Sequence, residues 1–308
     1  MELDSLVHRR LYEALLDAPR GDERSVLRAG VPSVAGLFGA IAPLRRRETP
    51  LGHASGDEES RAWYREALYA LYALSRVSDF LIEIGCPSGA ADASLGETGG
   101  RTLNRAPLSA HEWFFDQVGL ERLTPTGAFS PFHHEIFAVS ADENADTVTV
   151  EDILWPGFRF GDLLFCRAGA HVRAPSRLID ATAATTSTLY FTHRRDPRRT
   201  GDLADGWGSN SQYRTFFHRF YEDGDGLHLN WDGKNYIDDA FIPPEHDPNA
   251  ELTPARRREL LLHRCFVTAP VPLDEWDQFP YDDRISVRRA TWPPGPTVPL
   301  PDPLGGGT

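Results

Sequence analysis

Two imidazoles and a carboxylate crowd the stretch "FSPFHHEIFAVS" at residues 129–140. If this run is a strand, its side chains alternate, so His133 and Glu135 share one face while His134 and Ile136 share the other. A histidine and a carboxylate on one face can fill adjacent corners of an octahedral metal ion, leaving positions open for oxygen and a co-substrate. The third ligand would come from a later strand. His193 in "STLYFTHRR" is best placed by separation, and His171 in "AGAHVRA" is its substitute. Asp162, Asp180 and Asp196 could then steady the ligating rings, because a metal-bound imidazole donates its other nitrogen to a carboxylate or carbonyl. The competing reading makes His133 and His134 a strand-entry pair bonded to loop backbone, with Glu135 answering one of the many arginines.

A second concentration of chemistry lies in "HRRDPRRTGDLADGWGSNSQYRT", residues 193–215. Guanidinium forks suit carboxylates and phosphates, so Arg214 or Arg195 is expected to clamp an anionic small molecule. The alternative is a solvated turn whose arginines offset the excess acid of the chain. Other local chemistry is sparse. His111 and Glu112 have no second histidine at metalloprotease spacing, and Ser109 with Glu112 is in register for a capping box. Cys86, Cys166 and Cys265 are an odd set without paired spacing, which points to reduced structural thiols. There is no nucleophile elbow, dinucleotide fingerprint or phosphate loop, and Lys234 is the only lysine for Schiff-base chemistry.

The formal net charge of −13 over 308 residues opposes long-range attraction to nucleic acid or anionic lipid. No apolar run reaches the roughly 20 residues of a membrane helix, and "MELDSLVHRR" lacks the order of a signal peptide, so the expected location is cytoplasmic.

The elements that must carry these residues change texture along the chain. Residues 1–125 read as helix. "DSLVHRRLYEALLDA" has Asp4 or Ser5 to cap it, and a long buried helix is expected over 57–84 with Gly85 to close it. "LSAHEWFFDQVGL" begins another. Residues 126–290 read as short strands, at least three of them between 133 and 193 in one sheet or barrel. "FHRFYEDGDGLHLNW" reads as a hairpin, with a helix as the alternative for its first part. "TPARRRELLLHRC" is a late helix capped by Thr253 with Pro254 in first position. Residues 291–308 read as an extended or disordered tail. The fold class is α+β: helices packed on or flanking an antiparallel β-rich middle, a small barrel or sandwich within one compact domain.

The H-x-E spacing of His133 and Glu135 resembles the proximal half of the facial triad in double-stranded β-helix non-heme iron oxygenases. "GDLLFCRAGAH" looks like the second cupin motif, with its last spacing one residue short and arginine where proline is usual. These resemblances imply a divalent metal, iron first, with 2-oxoglutarate as a co-substrate, held by His133, Glu135 and His193 or His171. The rival expectation is a non-enzymatic protein-binding protein whose histidines are structural.

Overall fold

The computed structural model describes residues 3–47, 57–86, 103–124, 127–195, 198–202, 215–233, 235–236, 252–270 and 284–289. The helices are α1 (Ser5–Asp17), α2 (Glu23–Ala40), α3 (Glu58–Gly85), α4 (Arg105–Gln117), α5 (Ala181–Thr186) and α6 (Pro254–His263). The strands are β1 (Glu121–Arg122), β2 (His134–Ala141), β3 (Thr149–Trp155), β4 (Phe158–Phe160), β5 (Leu163–Cys166) and β6 (Ala168–Ala174), followed by β7 (Leu189–Tyr190), β8 (Thr200–Gly201), β9 (Tyr221–Glu222), β10 (Gly226–Leu229), β11 (Asn235–Tyr236) and β12 (Ile285–Arg288). The class is mixed α+β, with a helical N-terminal part and a β middle. No described helix is long and apolar enough to cross a membrane. Two compact units interleave along the chain: Met1–Arg122, Phe158–Cys166 and Phe191–His218 form the first, and Leu123–Gly157, Arg167–Tyr190 and Arg219–Thr308 the second.

In the first unit α1 is capped by Asp4, whose carboxylate accepts from the Leu6 amide. It buries His8, Leu11, Tyr12 and Leu15, one helical stripe. Helix α3 opens at Asp57, which accepts from the Ser60 amide at 2.7 Å, with Glu58 and Glu59 in the favourable first turn. Its first turns are open and its burial begins at Ala67. Gly85 lets the end of α3 approach α4: a Cβ there would lie 2.5 Å from the Leu108 side chain. Helix α4 starts four residues before the expected Ser109, capped by Asn104. Ser109 is therefore internal, and Glu112 pairs with Arg122 instead of serving a capping box. Strands β1, β4 and β5 form an antiparallel ladder. Phe115 packs against Phe158 and Phe165, and Phe38 against Phe160. Each fully buried ring of this kind stabilises by roughly 1.5–3 kcal/mol.

In the second unit β2, β6 and β3 make an open three-stranded sheet in that order. Three strands were expected in this region, but β2 pairs with β6 in parallel, so the sheet is mixed rather than purely antiparallel. No closed barrel forms among the described strands. One face carries Ile136, Ala170, Val172 and Ala174 into a core with Phe129, Ile179, Leu189 and Val267. Strands β9 and β10 form the expected hairpin, and β12 lies between β10 and β11. Helix α6 has the expected Thr253 cap and Pro254, ending at Arg264 in a left-handed conformation.

Two glycines give opposite expectations. A Cβ on Gly169 would sit 2.3 Å from the Trp155 indole, so Gly169→Ala is expected to destabilise by about 1–3 kcal/mol. Gly36 is exposed within α2 with nothing near its added Cβ, so Gly36→Ala should stabilise by about 0.5–1 kcal/mol. Urea denaturation of the two variants checks both signs, and equal effects would contradict the close packing of Trp155 on β6.

Candidate functional site

His133 closes the turn that enters β2. Its amide bonds the Ser130 carbonyl, and its own carbonyl accepts from Ala168. The ring's Nε2 lies 2.8 Å from Glu222, which also takes Arg289, and the bond from His133, helped by Arg289, holds the Glu222 carboxyl below its usual range against partial burial. Glu135 is buried opposite Gly169 in the β2–β6 register. His134 is also buried; its Nδ1 accepts from the Ser130 amide, and burial first, then His133 and Arg167, pushes it down to about 4. His171 stands on the polar face of β6, where its Nε2 meets Ser140 at 2.8 Å and Glu151 at 3.4 Å. Asp180 spends its carboxylate capping α5.

His193 belongs to the first unit and is not on a strand. The strand texture of "STLYFTHRR" stops at β7, because Phe191 turns left-handed at φ 57°, a costly conformation for a bulky residue, and stacks on His218 at 3.5 Å. Thr192 and Gly201 then bond across the base of an excursion that carries His193 and Arg195. Arg214, Asp196 and the residues 203–214 lie outside the described residues. Among the described residues no group of three His, Cys, Asp or Glu side chains is arranged to hold a metal ion.

What receives the excursion is one stripe of α3. Tyr72, Arg76, Asp79 and Glu83 follow at helical spacing, so they share a face. The His193 amide bonds Asp79 at 2.9 Å, Arg195 pairs with Asp79 at 2.9 Å, and Arg194 reaches Glu83 at 3.4 Å. Arg76 donates through one terminal nitrogen to Tyr72 Oη at 2.5 Å and through the other to His193 Nε2 at 2.6 Å. Tyr72 in turn donates to Asp202 at 2.6 Å. The Tyr12 hydroxyl stands 3.2 Å from the same His193 nitrogen.

These contacts settle the protonation of the cluster. A guanidinium cannot accept, so His193 Nε2 must be the acceptor and Nδ1 carries the ring proton. Burial, followed by Arg76, Arg194 and Arg195, pushes His193 down to about 3. Burial works against the charge of Arg76, yet Tyr72 and Asp202 outweigh it and hold the guanidinium above its ordinary value. Tyr72 is pushed up, by burial foremost and then by Asp202. The cluster is therefore a neutral imidazole, a cation and a neutral phenol across the ordinary pH range.

Two donors in this cluster, His193 Nδ1 and Arg76 Nε, are buried without a hydrogen-bond partner. An unpaired buried N–H is costly, and native proteins fill such places with water or ligand. His111 has a similar orphan, but it is fully sealed: its Nε2 takes Ser78 at 2.9 Å, and its edge faces Phe115 and Phe158. His193 as a whole residue is only half-buried. The α3 stripe was present in the sequence at spacings of four, three and four, but the apolar residues around it masked it.

A further relay occurs in the second unit. His228 bonds Asp223 at 2.9 Å through Nε2 and Ser286 at 2.8 Å through Nδ1, an acid–imidazole–hydroxyl order. Both His228 and Ser286 are buried, and they are direct cross-strand partners of β10 and β12. The triad is a sheet lock rather than an exposed nucleophile. His228→Ala is expected to cost about 1–3 kcal/mol by orphaning the buried Ser286 hydroxyl, read by thermal denaturation; a neutral result would remove the lock.

No family model, no curated protein and no solved structure matches the chain.

Proposed function

We propose that the protein binds a small, oxygen-rich molecule in its first unit, docking an acceptor oxygen on His193 Nδ1. The observation that carries this reading is the buried, partnerless Nδ1–H of His193, whose other nitrogen Arg76 holds as an acceptor. The role is recognition rather than proton transfer. His193 sits near 3 and Tyr72 is pushed up, so neither exchanges a proton at neutral pH. Arg195, expected to clamp a substrate, is committed to Asp79 and instead fixes the excursion that bears His193.

The reading does without a metal. The Nε2 atoms of the three histidines already have partners: Glu222 at His133, Ser140 at His171, and at His193 a guanidinium that would repel a cation. A resident ion at a hundred times its Kd would add about 2.7 kcal/mol of stability. Chelation of the purified chain should therefore leave its Tm unchanged, and a fall of several degrees would restore the metal site. A ligand-observed NMR screen of the full chain tests the binding reading itself. Binders should be lost in His193→Phe while near-ultraviolet circular dichroism stays native-like; binders indifferent to that change would sink the proposal.

A further inference from the structure

A surface apart from the His193 site lies on the outer face of α2. The helix buries Glu23, Leu27, Val34 and Leu37. Arg24 and Arg28 stand one position round from that stripe, both exposed, and lie over the Trp113 ring of α4 at 4.9 and 6.0 Å. Stacking holds each guanidinium flat and leaves its N–H edge for an acceptor. Among the described residues no carboxylate pairs with either. Glu112 and Asp116, which neighbour Trp113 on α4, are taken by Arg122; Glu23 is buried and accepts from the Gly21 amide. Asp22, exposed at the start of α2, makes no ion pair with them. Beyond Arg28 the helix carries no charge: its exposed residues are Ala29, Pro32, Ser33, Ala35, Gly36 and Gly39. A helix face that only meets water is charged or polar. Residues 24–47 instead hold five arginines and no acid, in a chain of net charge −13.

The glycines separate what the fold needs from what it does not. Gly30 is required by packing, since a Cβ there would lie 2.9 Å from the Leu11 side chain, whereas a Cβ on Gly36 or Gly39 would meet nothing within 4 Å. Each of these two weakens the helix relative to alanine, and the fold gains nothing in return. What they leave is a low surface that another helix can approach closely. We infer that this face docks an acidic helical segment of a partner protein, its carboxylates set on Arg24 and Arg28 and its backbone lying along Ser33 and Gly36. Stacked arginines beside an indole suit the anchoring end of such an interface. A second copy of the same face does not fit, because it would bring arginines with no acid of its own to answer them.

The test uses the full chain in fluorescence anisotropy with a labelled, alanine-rich helical peptide carrying glutamates at one end, beside its glutamine counterpart and an oligothymidylate of equal charge. The glutamate peptide should bind at least about tenfold more tightly than the glutamine one. Arg24→Ala combined with Arg28→Ala should erase that preference. Gly36→Leu should weaken the glutamate peptide at least about tenfold, whereas Gly36→Ala should change it little. All these positions are exposed, and near-ultraviolet circular dichroism checks that each variant keeps the native signal. If the glutamate peptide does not bind, or binds the double arginine variant equally well, the docking surface is overturned. Tighter binding of the oligothymidylate would make the partner a nucleic acid and overturn the acidic-protein assignment. Self-association in sedimentation that Gly36→Leu abolishes would give the face to a second copy and overturn it as well.

Discussion

Acidification from pH 7 to about 4.5 is expected to unfold the first unit cooperatively, driven by buried imidazoles that gain protons on unfolding. His8, His111 and His193 all lie in that unit. Burial pushes them down to about 4, 3 and 3, with Asp4 opposing the shift at His8 and nearby arginines adding to it at the other two. The sign follows from linkage. In the unfolded chain each imidazole takes a proton near 6.5, but in the folded unit it stays neutral, so below 6.5 the unfolded state binds more protons and gains. Stability is intact above about 6.5 and falls by about 1.4 kcal/mol per pH unit for each ring until the folded values are reached. At pH 5 the three together cost about 6 kcal/mol, comparable with the whole stability of an ordinary domain. His134 adds the same trend in the second unit. Far-ultraviolet circular dichroism across this range, with the midpoint moved down in His111→Asn, checks the claim. A native signal at pH 4 would contradict it.

The second large effect concerns Arg76. Arg76→Met keeps most of the side-chain volume but leaves Asp202 buried without its cation and strips Tyr72 and His193 of a donor. Breaking one side of such a buried pair costs about 3–5 kcal/mol, whereas Tyr72→Phe, which removes hydrogen bonds alone, should cost about 1–2 kcal/mol. Arg76→Lys should not rescue, because an ammonium lacks the planar fork that spans Tyr72 and His193 together. Asp202→Asn on the Arg76→Met background should recover part of the loss, and the double-mutant cycle measures the coupling. A loss under 1 kcal/mol for Arg76→Met would mean the cluster does not hold the excursion on α3.

Much of the scaffold was legible in the sequence for local reasons. Asp4, Asp57 and Thr253 cap their helices because carboxylates and hydroxyls accept from free first-turn amides. The Asp-Gly hairpin between β9 and β10 rests on its own turn, where Asp223 accepts from the Asp225 and Gly226 amides. Non-local facts were not legible. The alternation of β2 says which residues share a face, not that its partner β6 runs parallel. His193 was singled out by its distance from His133, yet it is placed by a left-handed Phe191 and by an arginine on α3, neither of which strand texture can signal. The α3 stripe was hidden because helical spacing shows a shared face without showing what docks there.

The state of the His193 ring is the most direct measure of whether Arg76 prepares a donor for a ligand. In the nitrogen-15 imidazole spectrum of the full chain at neutral pH, His193 should show its proton on Nδ1 and an unprotonated Nε2. It should keep that pattern at every pH where the first unit remains folded. A proton on Nε2, or a ring that titrates reversibly between pH 6 and 7 in the folded chain, would contradict the arrangement and remove the donor on which the proposed site depends.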